Sequence, residues 1–271
     1  MPRCRLSLEQ MKLEFYKYQG TGNDFIIVDN REAKLKLSKN QINFLCDRRY
    51  GIGADGLMIL ENDSEEAFKM VYFNSDGKES TMCGNGGRCL AAFAHELGCI
   101  DYKGRFIAVD GLHEVLFEGK KVCVKMQDVK DYEVGDNFVS LDTGSPHYVT
   151  FLDDMGHLDV ITDAHRIRYN DRYKDEGTNV NFVQKDGDKF IVRTYERGVE
   201  DETLSCGTGA TAVAISVFLK GMTNNNHITL VTKGGELYVS FDYNQGTFTN
   251  VWLKGPATFV YKGEIDLEND L

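Results

Sequence analysis

The chain repeats itself once, and that duplication limits what it can fold into. Thr21-Gly22-Asn23 returns as Thr143-Gly144-Ser145 at an offset of 122. At the same offset, Asn74 after Val71-Tyr72-Phe73 is matched by Glu196 after Arg193-Thr194-Tyr195. Cys83-Gly84-Asn85-Gly86 returns as Cys206-Gly207-Thr208-Gly209 at 123, and Val115 and Phe117 return as Val239 and Phe241 at 124. Four landmarks in one order at nearly one offset are a gene-level repeat. The period is far too long for a solenoid unit and fits a domain. Two homologous halves that face each other are therefore expected. The first, carrying Cys83, takes residues 11–130 plus about 257–271; the second, carrying Cys206, takes 131–256, with the site in the cleft between them. The polar stretch Asp128–Asp136 reads as the linker.

Local patterns suggest what each half contains. Segments 15–18, 25–28, 57–60, 69–73, 105–109, 122–126, 190–195 and 236–241 alternate or cluster apolar residues between Gly, Asn and Asp, as short strands do. Ser38 with Gln41 three residues on forms a capping box for a helix to about Arg48. A second helix follows Cys83 and stops at Gly98; its counterpart runs over 210–220 and stops at Gly221. The latter is apolar on all sides, so it belongs inside its half. The expected fold class is α/β (α+β): two pseudo-symmetric domains, each a curved mixed or antiparallel sheet or barrel around a central helix.

Composition excludes several roles. A net charge of −11 leaves no basic stripe for nucleic acid or an anionic membrane. No apolar run reaches the ~20 residues of a membrane helix, and residues 1–10 lack the apolar centre of a secretory signal. That segment reads as a leader or an added extension ahead of a strand starting at Met11. Seven cysteines make an odd number without C-x2-C spacing or a histidine at finger distance, so neither a disulfide framework nor a metal site is expected. Reduced thiols point to the cytoplasm. Cys4, Cys46, Cys89, Cys99 and Cys123 read as inert packing thiols.

Cys83 and Cys206 differ from those five because each opens a helix. A helix start presents unsatisfied N–H groups and the positive end of the dipole. A cysteine there is expected to have a depressed pKa, and the same N–H groups bind a carboxylate. Following glycines let a ligand approach the backbone. Two such thiols, one from each half, supply a base on one face of a carbon and an acid on the other. That design suits a racemase or epimerase working without a cofactor. His147 and Glu196, at repeat-related positions beside the thiols, are candidates to accept a thiol proton. Arg197 is placed to grip a carboxylate at two points.

The motifs together resemble diaminopimelate epimerase. They are Gly20-Thr21-Gly22-Asn23-Asp24-Phe25, the Gly51–Gly56 run, Asn74-Ser75-Asp76-Gly77, Cys83 through Cys89, Gly144-Ser145-Pro146-His147, Asn179 through Gln184, Tyr195 through Gly198, and Cys206 through Ala210. They span about Met11 to Gly263 in the family's order. The resemblance implies cofactor-free interconversion of LL- and meso-diaminopimelate in lysine and cell-wall synthesis. It further implies that Cys83 and Cys206 transfer the proton, assisted by His147 and Glu196. Asn23, Asn74, Asn179 and Arg197 would hold the distal end of this small-molecule substrate; Gly84, Asn85, Gly207 and Thr208 would bind the reacting α-carboxylate. The chain departs from the family in carrying Ser145 where Asn is frequent and Gly56 where Gln is frequent, and an extra residue separates Glu196 from Cys206. The oligomeric state stays open, a homodimer included.

Three rivals are weaker. A proline racemase or hydroxyproline epimerase usually has His two residues after its first cysteine, where this chain has Asn85, and its substrate gives Arg197 and the asparagines no partner. A thiol hydrolase or transferase would leave the second cysteine idle. A non-catalytic anion-binding scaffold would be favoured by loss of either cysteine, and both are present.

Overall fold

The computed structural model describes residues 10–268; Cys4 and nearly all of the segment read as a leader lie outside them. The first run of elements is β1 (Gln10–Gly20), β2 (Asn23–Asp29), α1 (Lys39–Cys46), β3 (Gly56–Glu61), β4 (Phe68–Asn74), β5 (Glu79–Ser80), α2 (Gly84–Glu96), β6 (Lys103–Ala108), β7 (Gly111–Glu118) and β8 (Lys121–Lys125). After β9 (Tyr132–Val134) the order repeats as β10 (Phe138–Asp142), β11 (Pro146–Phe151), α3 (Val160–Arg168), β12 (Asn179–Asp186), β13 (Lys189–Glu196), β14 (Asp201–Thr203), α4 (Gly207–Leu219), β15 (His227–Thr232), β16 (Gly235–Asn244) and β17 (Thr247–Pro256). The last strand is β18 (Thr258–Glu268).

Pairing repeats with the order. β1–β2, β3–β4, β6–β7 and β7–β8 are antiparallel, whereas β2–β3 and β4–β6 are parallel. The corresponding pairs from β10 to β17 have the same senses. β8 lies antiparallel on β17 and joins the two sheets. Each half also lends its closing strand to the other: β9 pairs with β10, and β18 with β1. The stretch read as a plain linker therefore contains a strand. Two of its apolar side chains explain this: Val129 is buried and bridged to Phe248, and Tyr132 packs on the same core.

One helix sits inside each curved sheet. α2 packs with Phe25, Met58, Phe68, Phe106 and Val124, and α4 with Val149, Phe190, Leu230, Val239 and Phe248. Enclosure on all sides is why α4 has no polar face. α1 carries the expected capping box. Among the described residues no helix is long and apolar enough to cross a membrane.

Cys46, Cys89 and Cys123 are buried free thiols, and burial pushes each up to about 12. In the unfolded chain a thiol ionises near pH 8.5. The raised folded pKa means that stability is intact below about pH 8.5 and falls as pH rises toward 12. Each thiol contributes a slope of about 1.4 kcal/mol per pH unit in that window. Urea unfolding at pH 8, 9 and 10 is expected to show steep alkaline loss, and Cys46→Ala to flatten it by about one thiol's share. An unchanged slope in that variant would refute the assignment.

Candidate active site

Cys83 and Cys206 are the N-cap residues of α2 and α4, both with extended backbone. At Cys206 the sulfur takes the role usually filled by a Ser or Asp oxygen, accepting the Gly209 N–H at 3.4 Å. The Cys83 thiol instead reaches Asn23 Oδ1 at 3.7 Å. The two helix starts abut. A methyl built on Gly207 would lie 3.3 Å from the Gly84 Cα, and one built on either glycine would come within 2.9 Å of Leu253 Cδ2. Glycine at both positions leaves the Leu253 side chain uncrowded while the two N-termini lie against each other.

The expected depression of the thiol pKa values is overturned. Burial pushes both thiols up, and the nearby Glu196 carboxylate pushes the same way. The helix-start amides and, at Cys206, the Thr208 hydroxyl pull downward but are outweighed. Without a ligand both sulfurs hold their protons at neutral pH. Glu196, at the end of β13, has its own carboxyl raised by burial and by Asp55, which makes it a better proton acceptor than a free glutamate.

His147 on β11 is fully buried, and desolvation, with a smaller push from Arg197, lowers its imidazole to about 3. The ring is neutral. Its Nε2 lies 2.9 Å from Thr208 Oγ1, which is 3.3 Å from Cys206 Sγ. Thr208 thus stands between histidine and thiol, and the two do not touch directly.

The residues expected at the distal end are less uniform. Asn23 bonds Asp55 through Nδ2 and receives the Asn85 amide at 3.4 Å through Oδ1. Asn74 is exposed at the end of β4, and Arg197 is exposed with Nη1 donating to Glu176 O at 2.9 Å. Asn179 is buried and held at both ends of its amide: Nδ2 donates to Ser145 Oγ at 2.7 Å and Pro146 O at 2.9 Å, and Oδ1 accepts the Arg197 N–H at 2.9 Å. The shorter Ser145 therefore serves as an internal acceptor. At Gly56 a β-carbon would meet the Tyr72 ring at 2.6 Å, so the tyrosine fills the space a side chain there would need.

The structure adds roles that the sequence reading did not give. Asn85 turns its side chain inward, donating to Ser205 O at 3.2 Å and Ser205 Oγ at 3.0 Å, and leaves only its backbone N–H for a ligand. Ser205 Oγ in turn donates to Thr21 O at 2.9 Å. Arg88 is fully buried, bonding Gly84 O, Pro256 O, Thr21 Oγ1 and Asn85 Oδ1, with no carboxylate among these partners. Asn181 touches His147. In the sequence, Arg88 next to Gly86-Gly87 and Asn181 two residues after Asn179 were the available signals. No group of three or more potential metal-binding side chains occurs among the described residues.

Comparison with known proteins separates fold from family. A phenazine biosynthesis protein of the PhzF family from Bacillus anthracis superposes with a TM-score of 0.69 over 94% of this chain and 99% of its own, at 12% identity. A hydroxyproline epimerase from Agrobacterium vitis gives 0.65 over 95% and 93%, at 13% identity. These likenesses establish the two-fold repeated architecture alone. At the sequence level, the chain is 54% identical to a diaminopimelate epimerase of Flavobacterium psychrophilum over 93% of its length and 100% of the relative. It is 42% identical to one from Chlorobaculum tepidum over 92% and 99%. The diaminopimelate epimerase profile matches residues 15–129 and 139–260, one match in each half of the repeat. With both cysteine-capped helix starts inside those matched regions, the chain belongs to the diaminopimelate epimerase family.

Proposed function

We propose that the protein interconverts LL- and meso-2,6-diaminopimelate by passing one α-proton between two sulfurs. The observation that carries this reading is the meeting of the Cys83 and Cys206 helix starts at Gly84 and Gly207. The reacting α-carboxylate accepts N–H groups of Gly84, Asn85, Gly207 and Thr208, where two dipole ends favour negative charge. One sulfur, as thiolate, takes the α-proton: the C–H bond breaks and an S–H bond forms. The opposite thiol gives its proton to the other face, and the two sulfurs exchange roles. Because both thiols begin protonated, one proton must leave first, and Glu196 is the acceptor with influence on both sulfurs.

The enolate-like charge is carried by preorganised amides, each worth roughly 3–4 kcal/mol in the transition state, so no electron-sink cofactor is invoked. Asn23, Asn74 and Arg197 take the distal amino-acid end, while Asn179 sets the backbone of Arg197. The reading divides the chain at 11–130 with 257–271 and at 131–256, places the reaction between these parts, and places the enzyme in the reducing cytoplasm.

Proton NMR of the reduced protein with LL-diaminopimelate in D2O tests it. The α-proton signal is expected to disappear as the meso isomer forms. Exchange in proline but not in diaminopimelate would overturn the substrate. Exchange in neither would overturn the epimerase reading.

A further inference from the structure

The hydrogen bonds behind Cys206 fix which nitrogen of His147 carries the proton. Asn181 on β12 is fully buried, and its Nδ2 lies 3.3 Å from Tyr148 O. A carbonyl can only accept, so this contact fixes which end of the amide is nitrogen. Thr194 Oγ1 then donates to Asn181 Oδ1 at 2.9 Å. The remaining amide hydrogen points at His147 Nδ1, 3.0 Å away. Nδ1 must accept, and the neutral ring therefore carries its single proton on Nε2. Nε2–H donates to Thr208 Oγ1, and the Thr208 hydroxyl, having accepted, has its own hydrogen to offer Cys206 Sγ. Once its own proton has left, the sulfur faces two donors, the Thr208 hydroxyl and the Gly209 N–H.

We propose that Asn181 is a positioning residue that holds His147 in the Nε2–H tautomer, so that Thr208 donates to the Cys206 sulfur and favours its thiolate. This rests on the reading of Cys206 as a proton-transfer residue, and it revises the role of His147. The ring does not take the Cys206 proton, since its open nitrogen faces Asn181; it orients the hydroxyl that stabilises the sulfur after the proton has left. The opposite tautomer would aim two N–H groups at each other across 3.0 Å. The charged groups acting on this assembly are Arg197, on the imidazole, and Glu196, on the sulfur. Thr194 completes the device by holding the amide from behind.

Asn181→Asp reverses the polarity with almost no change in shape. A carboxylate accepts from Nδ1–H, Nε2 then becomes the acceptor, and the Thr208 hydroxyl turns from the sulfur to the ring. Two measurements without substrate read this out. Nitrogen-15 NMR of histidine-labelled protein is expected to show His147 as Nε2–H in the wild type and as Nδ1–H in Asn181→Asp. Iodoacetamide labelling followed by peptide mass spectrometry is expected to show the Cys206 rate falling about tenfold in the variant, with Cys83 as internal reference. Thr208→Ser, which keeps the hydroxyl, should stay near the wild-type ratio, and Thr208→Val should fall with Asn181→Asp.

A wild-type ring protonated on Nδ1 overturns the proposal. So does an Asn181→Asp ring that keeps the Nε2–H form, or a switched tautomer with an unchanged labelling ratio. Should Asn181→Asp fail to fold, Thr194→Val loosens the same amide and must shift the ratio in the same direction. Neither readout involves diaminopimelate, so failure of the substrate assignment appears separately, in the D2O exchange.

Discussion

Alanine at Cys83 or at Cys206 is expected to lower epimerisation by about 10⁴-fold, while each variant retains proton exchange at one isomer. Inversion needs a group on each face, so either deletion stops it. A single remaining sulfur can still remove the α-proton that points toward it, exchange with solvent deuterium, and return a deuteron to the same face. One variant should therefore label LL-diaminopimelate without producing meso, and the other should label meso without producing LL. Separate incubations of the two isomers in D2O under reductant, followed by proton NMR, measure this directly. Labelling of the same isomer by both variants would place both sulfurs on one face and refute the two-sided site. Retained inversion in either would show that another group, Glu196 first among them, replaces the missing thiol.

The paired helix starts were legible in the sequence because their parts are local or repeated. A capping box at Ser38, stop glycines at Gly98 and Gly221, and the matched Cys-Gly starts depend on residues a few positions apart. The repeat then sets the topology, since each element in the first run has a partner in the second. What escaped depends on neighbours distant in the chain. Thiol ionisation was misjudged because a helix start is a local feature, whereas the desolvation that outweighs it comes from enclosure by both halves. The hold of Ser145 and Pro146 on the Asn179 amide nitrogen joins residues more than thirty positions apart. Arg88 was given no role of its own, although four separate oxygen acceptors surround it inside the protein. β9 was hidden in a polar run because two apolar side chains sufficed to dock it.

The contact that aligns the halves gives a second large effect, at a residue far from any motif. Gly234, between β15 and β16, donates its N–H to Leu204 O at 2.8 Å. A β-carbon on it would lie 1.7 Å from Thr21 O and 2.5 Å from Thr21 C, both backbone atoms of the opposite half. Thr21 cannot simply yield. It sits in the left-handed region at φ 51°, and its carbonyl is held by Ser205 while its hydroxyl meets Arg88. Gly234→Ala must therefore push the Thr21–Asn23 turn away from Ser205. Asn23 contacts Cys83, and Ser205 precedes Cys206, so the displacement alters the spacing of the two sulfurs. Overpacking of this kind costs about 1–3 kcal/mol of stability, but a misplacement near 1 Å costs about 10²-fold in rate. The expected result is a folded enzyme with kcat/KM down about 10²-fold. Gly187→Ala is the control: it imposes strain at φ 58° in open space, and should lose some stability with activity retained. Equal activity losses in the two variants would mean that stability, rather than alignment across the Thr21–Gly234 contact, limits the reaction.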